Sequence, residues 1–121
     1  MDYELNAVRV FVTDFDRALA FYTESLGMRA AFASAETGWA QFETGAAQLA
    51  IEKVDPGDAE GAELVGRFVS VSLRVDDLQS TYETLRARGV DFVETPEKQP
   101  WGGILAHLRD PDGNILTLLE A

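Results

Sequence analysis

The sequence predicts an α+β fold made of two tandem β-α-β-β-β modules, and three observations predict it. Apolar residues alternate over 7–12 and again over 69–75, as in strands with one covered face. Each run is followed by an aspartate, an apolar stripe at helical spacing, and then a glycine. The two copies keep step along the chain: Asp14 to Asp77 is 63 residues, and Gly27 to Gly89 is 62.

In the first module, Val8, Val10 and Val12 share one strand face. Asp14 stands where a helix N-cap is wanted, and its carboxylate suits a free backbone N–H. Phe15, Ala18, Leu19, Tyr22 and Leu26 form the helical stripe, and Gly27 ends it as a C′ residue. Three strands follow near 29–35, 38–44 and 47–53, the last two joined at Glu43-Thr44-Gly45. The second module repeats the order with Val69, Val71, Leu73 and Val75, a cap at Asp76 or Asp77, a stripe of Leu78, Thr81, Tyr82 and Leu85, and Gly89. Its later strands fall near 91–95, 103–109 and 114–120. Asp110-Pro111-Asp112-Gly113-Asn114 joins the last two, with Pro fixing φ and Gly supplying a positive one. Residues 1–54 are thus the first module, 55–66 an acidic, breaker-rich linker, and 67–121 the second. A half of about 55 residues is near the lower limit for independent stability, so the halves are expected to share burial, within one chain or by exchange between two.

Composition narrows the function classes. The 121-residue chain has no cysteine, which removes disulfides, thiolate metal sites and cysteine nucleophiles. Its one histidine is His107. Ten basic against twenty-one acidic residues give a net charge of −11, which offers no general attraction to nucleic-acid phosphate or anionic lipid. No apolar run approaches the roughly 20 residues of a membrane span, and the N-terminal stretch lacks a basic region before its apolar part. The expectation is a soluble, cytoplasmic domain with neither nucleic-acid nor membrane partners.

With the valines toward the helix, strand parity puts Ala7, Arg9 and Phe11 on the far face of the first strand, and Ser70, Ser72 and Arg74 on that of its counterpart. Gln48, Ala50 and Glu52 lie opposite Leu49 and Ile51. Ile115, Thr117 and Leu119 lie opposite Leu116 and Leu118. If Phe42 and Leu108 face their helices, Trp39, Gln41, Leu105, His107 and Arg109 face away. A curved mixed sheet, covered on one side and polar-aromatic on the other, describes a ligand cleft.

The run Asp14-Phe-Asp-Arg-Ala-Leu-Ala-Phe-Tyr22 ending in Leu26-Gly27-Met28, the paired modules and Arg109-Asp-Pro-Asp-Gly-Asn114 resemble the vicinal oxygen chelate superfamily. That superfamily includes glyoxalase I, extradiol dioxygenases, fosfomycin resistance enzymes and bleomycin-resistance binding proteins. The resemblance implies the glyoxalase/bleomycin resistance fold across nearly the whole chain, but one fold hosts several chemistries. It also implies where metal ligands would stand: seven residues before each capping aspartate and on each closing strand. Those positions read Ala7, Glu52, Ser70 and Thr117 here. Zn²⁺ or Fe²⁺ wants imidazole or carboxylate donors, and of the four only Glu52 is one. No metal or other cofactor is therefore expected, and the four positions are vestigial.

Glu52 reads either as an idle strand-end carboxylate or as a partner for a cationic ligand group. His107 reads as a structural sheet histidine, or as a ligand contact or proton carrier. Arg9 and Arg74 either pair with Glu52 and nearby acids or, unpaired, favour an anionic group. Gln99-Pro100-Trp101-Gly102-Gly103 is similar to the aromatic-bearing loop that borders the groove in bleomycin-resistance proteins, with tryptophan offering a stacking surface and glycine letting a ligand approach the backbone. The expected ligand-binding residues are Arg9, Phe11, Trp39, Gln41, Glu52, Ser72, Arg74, Trp101, His107 and Thr117. The expected function is a metal-independent binding protein that sequesters an aromatic or cationic small molecule, such as an antibiotic, and the resemblance implies a homodimer. The alternatives are a metal-dependent glyoxalase-like lyase, isomerase or dioxygenase, and an interaction module without a small ligand.

Overall fold

A computed structural model describes all 121 residues, which divide into two compact units, Met1–Val65 and Gly66–Ala121. The first contains β1 (Ala7–Val12), α1 (Phe15–Ala20), β2 (Ala30–Ser34), β3 (Trp39–Phe42), β4 (Gln48–Lys53) and α2 (Ala59–Leu64). Its sheet has the order β1-β4-β3-β2, with β1 and β4 parallel and the other pairs antiparallel. The second unit contains β5 (Phe68–Arg74), α3 (Leu78–Ala87), β6 (Asp91–Phe92), β7 (Glu97–Lys98), β8 (Ile104–Arg109) and β9 (Ile115–Glu120). Its order is β5-β9-β8-β6, with β7 also paired to β8. The α+β architecture of two β-α-β-β-β units is the one the periodicity predicts.

Alternation decides which sheet face the helix covers. In the first unit Val10, Val12, Ala40, Phe42, Leu49 and Ile51 are buried together with Phe15, Ala18 and Tyr22 of the helical segment. In the second, Leu78, Tyr82, Leu85 and Val90 meet the buried Ala106, Leu108, Leu116 and Leu118. Each large apolar side chain removed from water contributes about 1.5–3 kcal/mol. Both helices begin at the expected aspartates: Asp14 accepts from the Arg17 N–H at 3.1 Å, and Asp77 from Ser80 at 3.0 Å. Both segments end on glycines at positive φ, Gly27 at 76° and Gly89 at 87°.

Four features depart from the simple repeat. The first helix widens into a π-helical turn over Phe21–Ser25, closed by the Leu26 N–H on the Phe21 carbonyl at 2.9 Å. Tyr22 in that turn is fully buried and stacks on Phe42, with centroids 5.4 Å apart. The segment 55–66, read as a linker, contains α2, and Val65 at its end bridges to Phe11 of β1. Strand β5 is irregular: its register on β9 shifts between Phe68 and Ser72, and Ser70 takes φ 64°. Finally, β7 adds a short pairing that alternation does not signal.

The Asp110–Asn114 turn ties the second unit together. Asn114, 1% exposed, accepts from the backbone N–H of Gly66 and Arg67 at 2.9 and 3.2 Å. Its amide donates to Asp110 Oδ2 at 2.9 Å, while Asp110 Oδ1 accepts from the Asp112 and Asn114 N–H groups. The approach to β5 is thereby pinned to the start of β9.

Candidate functional site

The open sheet face of the first unit carries five of the expected residues. Cross-strand register sets Phe11, Glu52 and Trp39 in one row, and Arg9, Ala50 and Gln41 in the next. Side chains directly opposite on a sheet are neighbours, so these rows form a continuous surface. Arg9 Nη1 reaches Glu52 Oε1 at 3.1 Å, and its guanidinium carbon lies 5.4 Å from the centre of the Phe11 ring. Trp39 Nε1 donates to Gln41 Oε1 at 3.1 Å, and Gln41 Nε2 donates to Gln48 Oε1 at 2.9 Å. The polar edge of the indole is thus held by an amide chain, and Phe11 and Trp39 are both half-buried. Of the two readings of Arg9, pairing with Glu52 is the one the structure contains. Phe32, paired with Gln41 and 54% exposed, extends this face beyond the residues the sequence singles out.

On the second unit, register sets His107, Thr117 and Ser72 in one row, with Arg74 two residues further along β5. Thr117 is only 5% exposed because it sits on the central strand between His107 and Ser72, so it contributes little surface to a ligand. Arg74 is exposed and makes no ion pair. Phe68, 57% exposed, lies beside His107 with ring centroids 5.8 Å apart. His107 Nδ1 lies 2.8 Å from Glu94 Oε1, which also accepts the His107 backbone N–H at 2.8 Å. Phe68 was legible in principle, since it keeps the parity of Ser72 and Arg74. Glu94 was not, because it lies off the strands and reaches His107 from 13 residues away.

Trp101 stands apart from these rows. It is 61% exposed in the turn before β8 and makes no ring contact with the face residues. Its indole lies over Gly103, where an added Cβ would overlap the ring. The room that glycine leaves at 103 is therefore filled by the chain's own tryptophan, while the neighbouring Gly102 has open space beside it.

The donor set at the four metal positions does not fit a divalent ion. Ala7 has no donor atom in its side chain, Glu52 is engaged by Arg9, Ser70 sits on the β5 bulge, and Thr117 is covered. No group of three or more His, Cys, Asp or Glu side chains stands together elsewhere in the chain. What the two faces offer instead is stacking surface, one exchangeable ion pair and a carboxylate-held imidazole. No helix is long and apolar enough to cross a membrane.

Comparison with known proteins agrees with this architecture. A bleomycin resistance protein of Klebsiella pneumoniae is 34% identical over 117 residues, covering 88% of this chain and 84% of that one. The lactoylglutathione lyase of Haemophilus influenzae is 29% identical, covering 90% and 86%. A crystal structure of a superfamily member from Sphaerobacter thermophilus superposes with a TM-score of 0.83 at 28% identity, covering 99% of this chain and 98% of that one. With residues 4–118 matching its description, the chain belongs to the Glyoxalase/Bleomycin resistance protein/Dioxygenase superfamily.

Proposed function

We propose that this protein binds a small aromatic, cationic molecule without a metal and acts by holding it; similarity to a bleomycin resistance protein supports a small-molecule ligand. The observation that carries the reading is the row Phe11–Glu52–Trp39 on the open face of the first unit. A flat ring stacks on the indole, and a cationic group takes the place of Arg9 on Glu52. The net charge of −11 adds a long-range attraction for such a guest. The donor set at the vestigial metal positions supports independence from a divalent ion. We also take the protein to be cytoplasmic and, as the resemblance implies, homodimeric.

Proflavine, a planar aromatic cation, is a suitable probe. Calorimetry should give saturable binding that chelator leaves unchanged, and Trp39→Ala should weaken it about ten-fold, the loss of one stacking partner. Formation of lactoylglutathione from methylglyoxal and glutathione that appears only on adding Ni²⁺, Zn²⁺, Mn²⁺ or Fe²⁺ would replace this reading with a lyase. Absence of binding across aromatic cations, bleomycin included, would leave an interaction module.

A further inference from the structure

We propose that Glu94, His107 and Phe68 form a subsite on the second unit for an aromatic group bearing an N–H or O–H donor. The inference rests on the small-molecule reading above and adds a requirement on the guest's chemistry. Glu94 Oε1 lies 2.8 Å from both His107 Nδ1 and the His107 backbone N–H, so ring and main chain are gripped by one oxygen. A carboxylate oxygen only accepts, so it holds the proton of the neutral imidazole on Nδ1. Nε2 is then left with its lone pair. That nitrogen makes no hydrogen bond, and no buried side-chain nitrogen or oxygen in the molecule lacks a partner, so Nε2 reaches solvent.

The imidazole therefore presents a fixed acceptor on the open face. Phe68 supplies the apolar wall beside it, its ring tilted 57° to the imidazole at 5.8 Å and its surface more than half exposed. Ser72 and Thr117 continue the row across the sheet. A ring that lies on Phe68 and points a hydroxyl or N–H at Nε2 satisfies both elements. Its analogue without the donor leaves Nε2 stripped of water and unpaired, which costs about a factor of ten. Glu94 is a positioning residue here: it acts through the histidine, not on the guest.

His107 is the single histidine of the chain, so its ring nitrogens are read without ambiguity by long-range ¹H–¹⁵N spectroscopy. In mildly alkaline buffer the native protein should show a pyrrole-type Nδ1 and a pyridine-type Nε2. Glu94→Ala should shift the population toward the Nε2–H form, and Glu94→Gln, whose Oε1 also accepts, should restore the native pattern. Adding 2-naphthol should move the Nε2 resonance, with affinity about ten-fold above that of 2-methoxynaphthalene; Phe68→Ala should weaken both naphthalenes, and His107→Phe should abolish the difference between them. A native ring protonated on Nε2, equal affinity for the two naphthalenes, or no response to 2-naphthol would each overturn the subsite. Failure of proflavine to bind alongside an intact 2-naphthol response would sink the earlier reading and leave this one standing.

Discussion

Arg9 and Glu52 meet at 3.1 Å with side chains 55% and 32% exposed, so water competes with each for the other. Pairs of that exposure add about 0–1 kcal/mol to stability. Arg9→Ala should therefore shift the unfolding midpoint little. It should nonetheless tighten proflavine binding several-fold by calorimetry, because Glu52 no longer has to exchange one cation for another. Weaker binding in the variant would mean that Arg9 touches the guest itself. His107 is held differently: one carboxylate oxygen grips its ring and its backbone N–H, and such a double hold leaves the ring one orientation.

At the scale of elements, the turn at Asp110–Asn114 binds the second unit more firmly than its length implies. Asn114→Ala removes the acceptor of two backbone N–H groups and the donor to Asp110 Oδ2, all buried or half-buried. The expected cost is about 2–4 kcal/mol, read as a lower urea midpoint with an unchanged slope. A loss under 1 kcal/mol would show that water replaces these bonds. The sequence made this turn legible, as it did both helix caps, the closing glycines and the covered strand faces, since each depends on residues within a few positions. The π turn at Phe21–Ser25 depends on how Tyr22 meets Phe42 from twenty residues away, and no local pattern announces it. The helix within 55–66 was hidden because Gly57 and Gly61 read as breakers. Of the expected binding residues, Arg9, Phe11, Trp39, Gln41 and Glu52 share a face because alternation is regular in β1, β3 and β4. Trp101 and Thr117 are placed differently from the rest: one sits in a turn with its ring folded onto Gly103, and the other is covered on a central strand.

For the whole molecule, each unit keeps one sheet face covered by its helix and the other face open, with Phe32 and Phe68 more than half exposed. An exposed apolar side chain on an edge strand, as Phe32 is on β2, suits contact with a second copy of the chain. The homodimer proposed above should appear in light scattering as twice the 13.3 kDa chain mass, and Phe32→Asp should reduce it to one chain. A native protein that runs as one chain at all concentrations would refute this. With a net charge of −11, the association should strengthen as salt screens repulsion between the copies.

Ser70 bears on any attempt to engineer an ion into this sheet. It is the chain's one non-glycine residue with a left-handed backbone, at φ 64°. An imidazole installed there would inherit a conformation disfavoured by about 1–2 kcal/mol for a residue with a Cβ, before any coordinate bond is made. Ala7 carries no such penalty, since β1 runs in unbroken register along β4. The two halves of the repeat are thus unequal as starting points, and a designer would place the first new ligand on the amino-terminal strand.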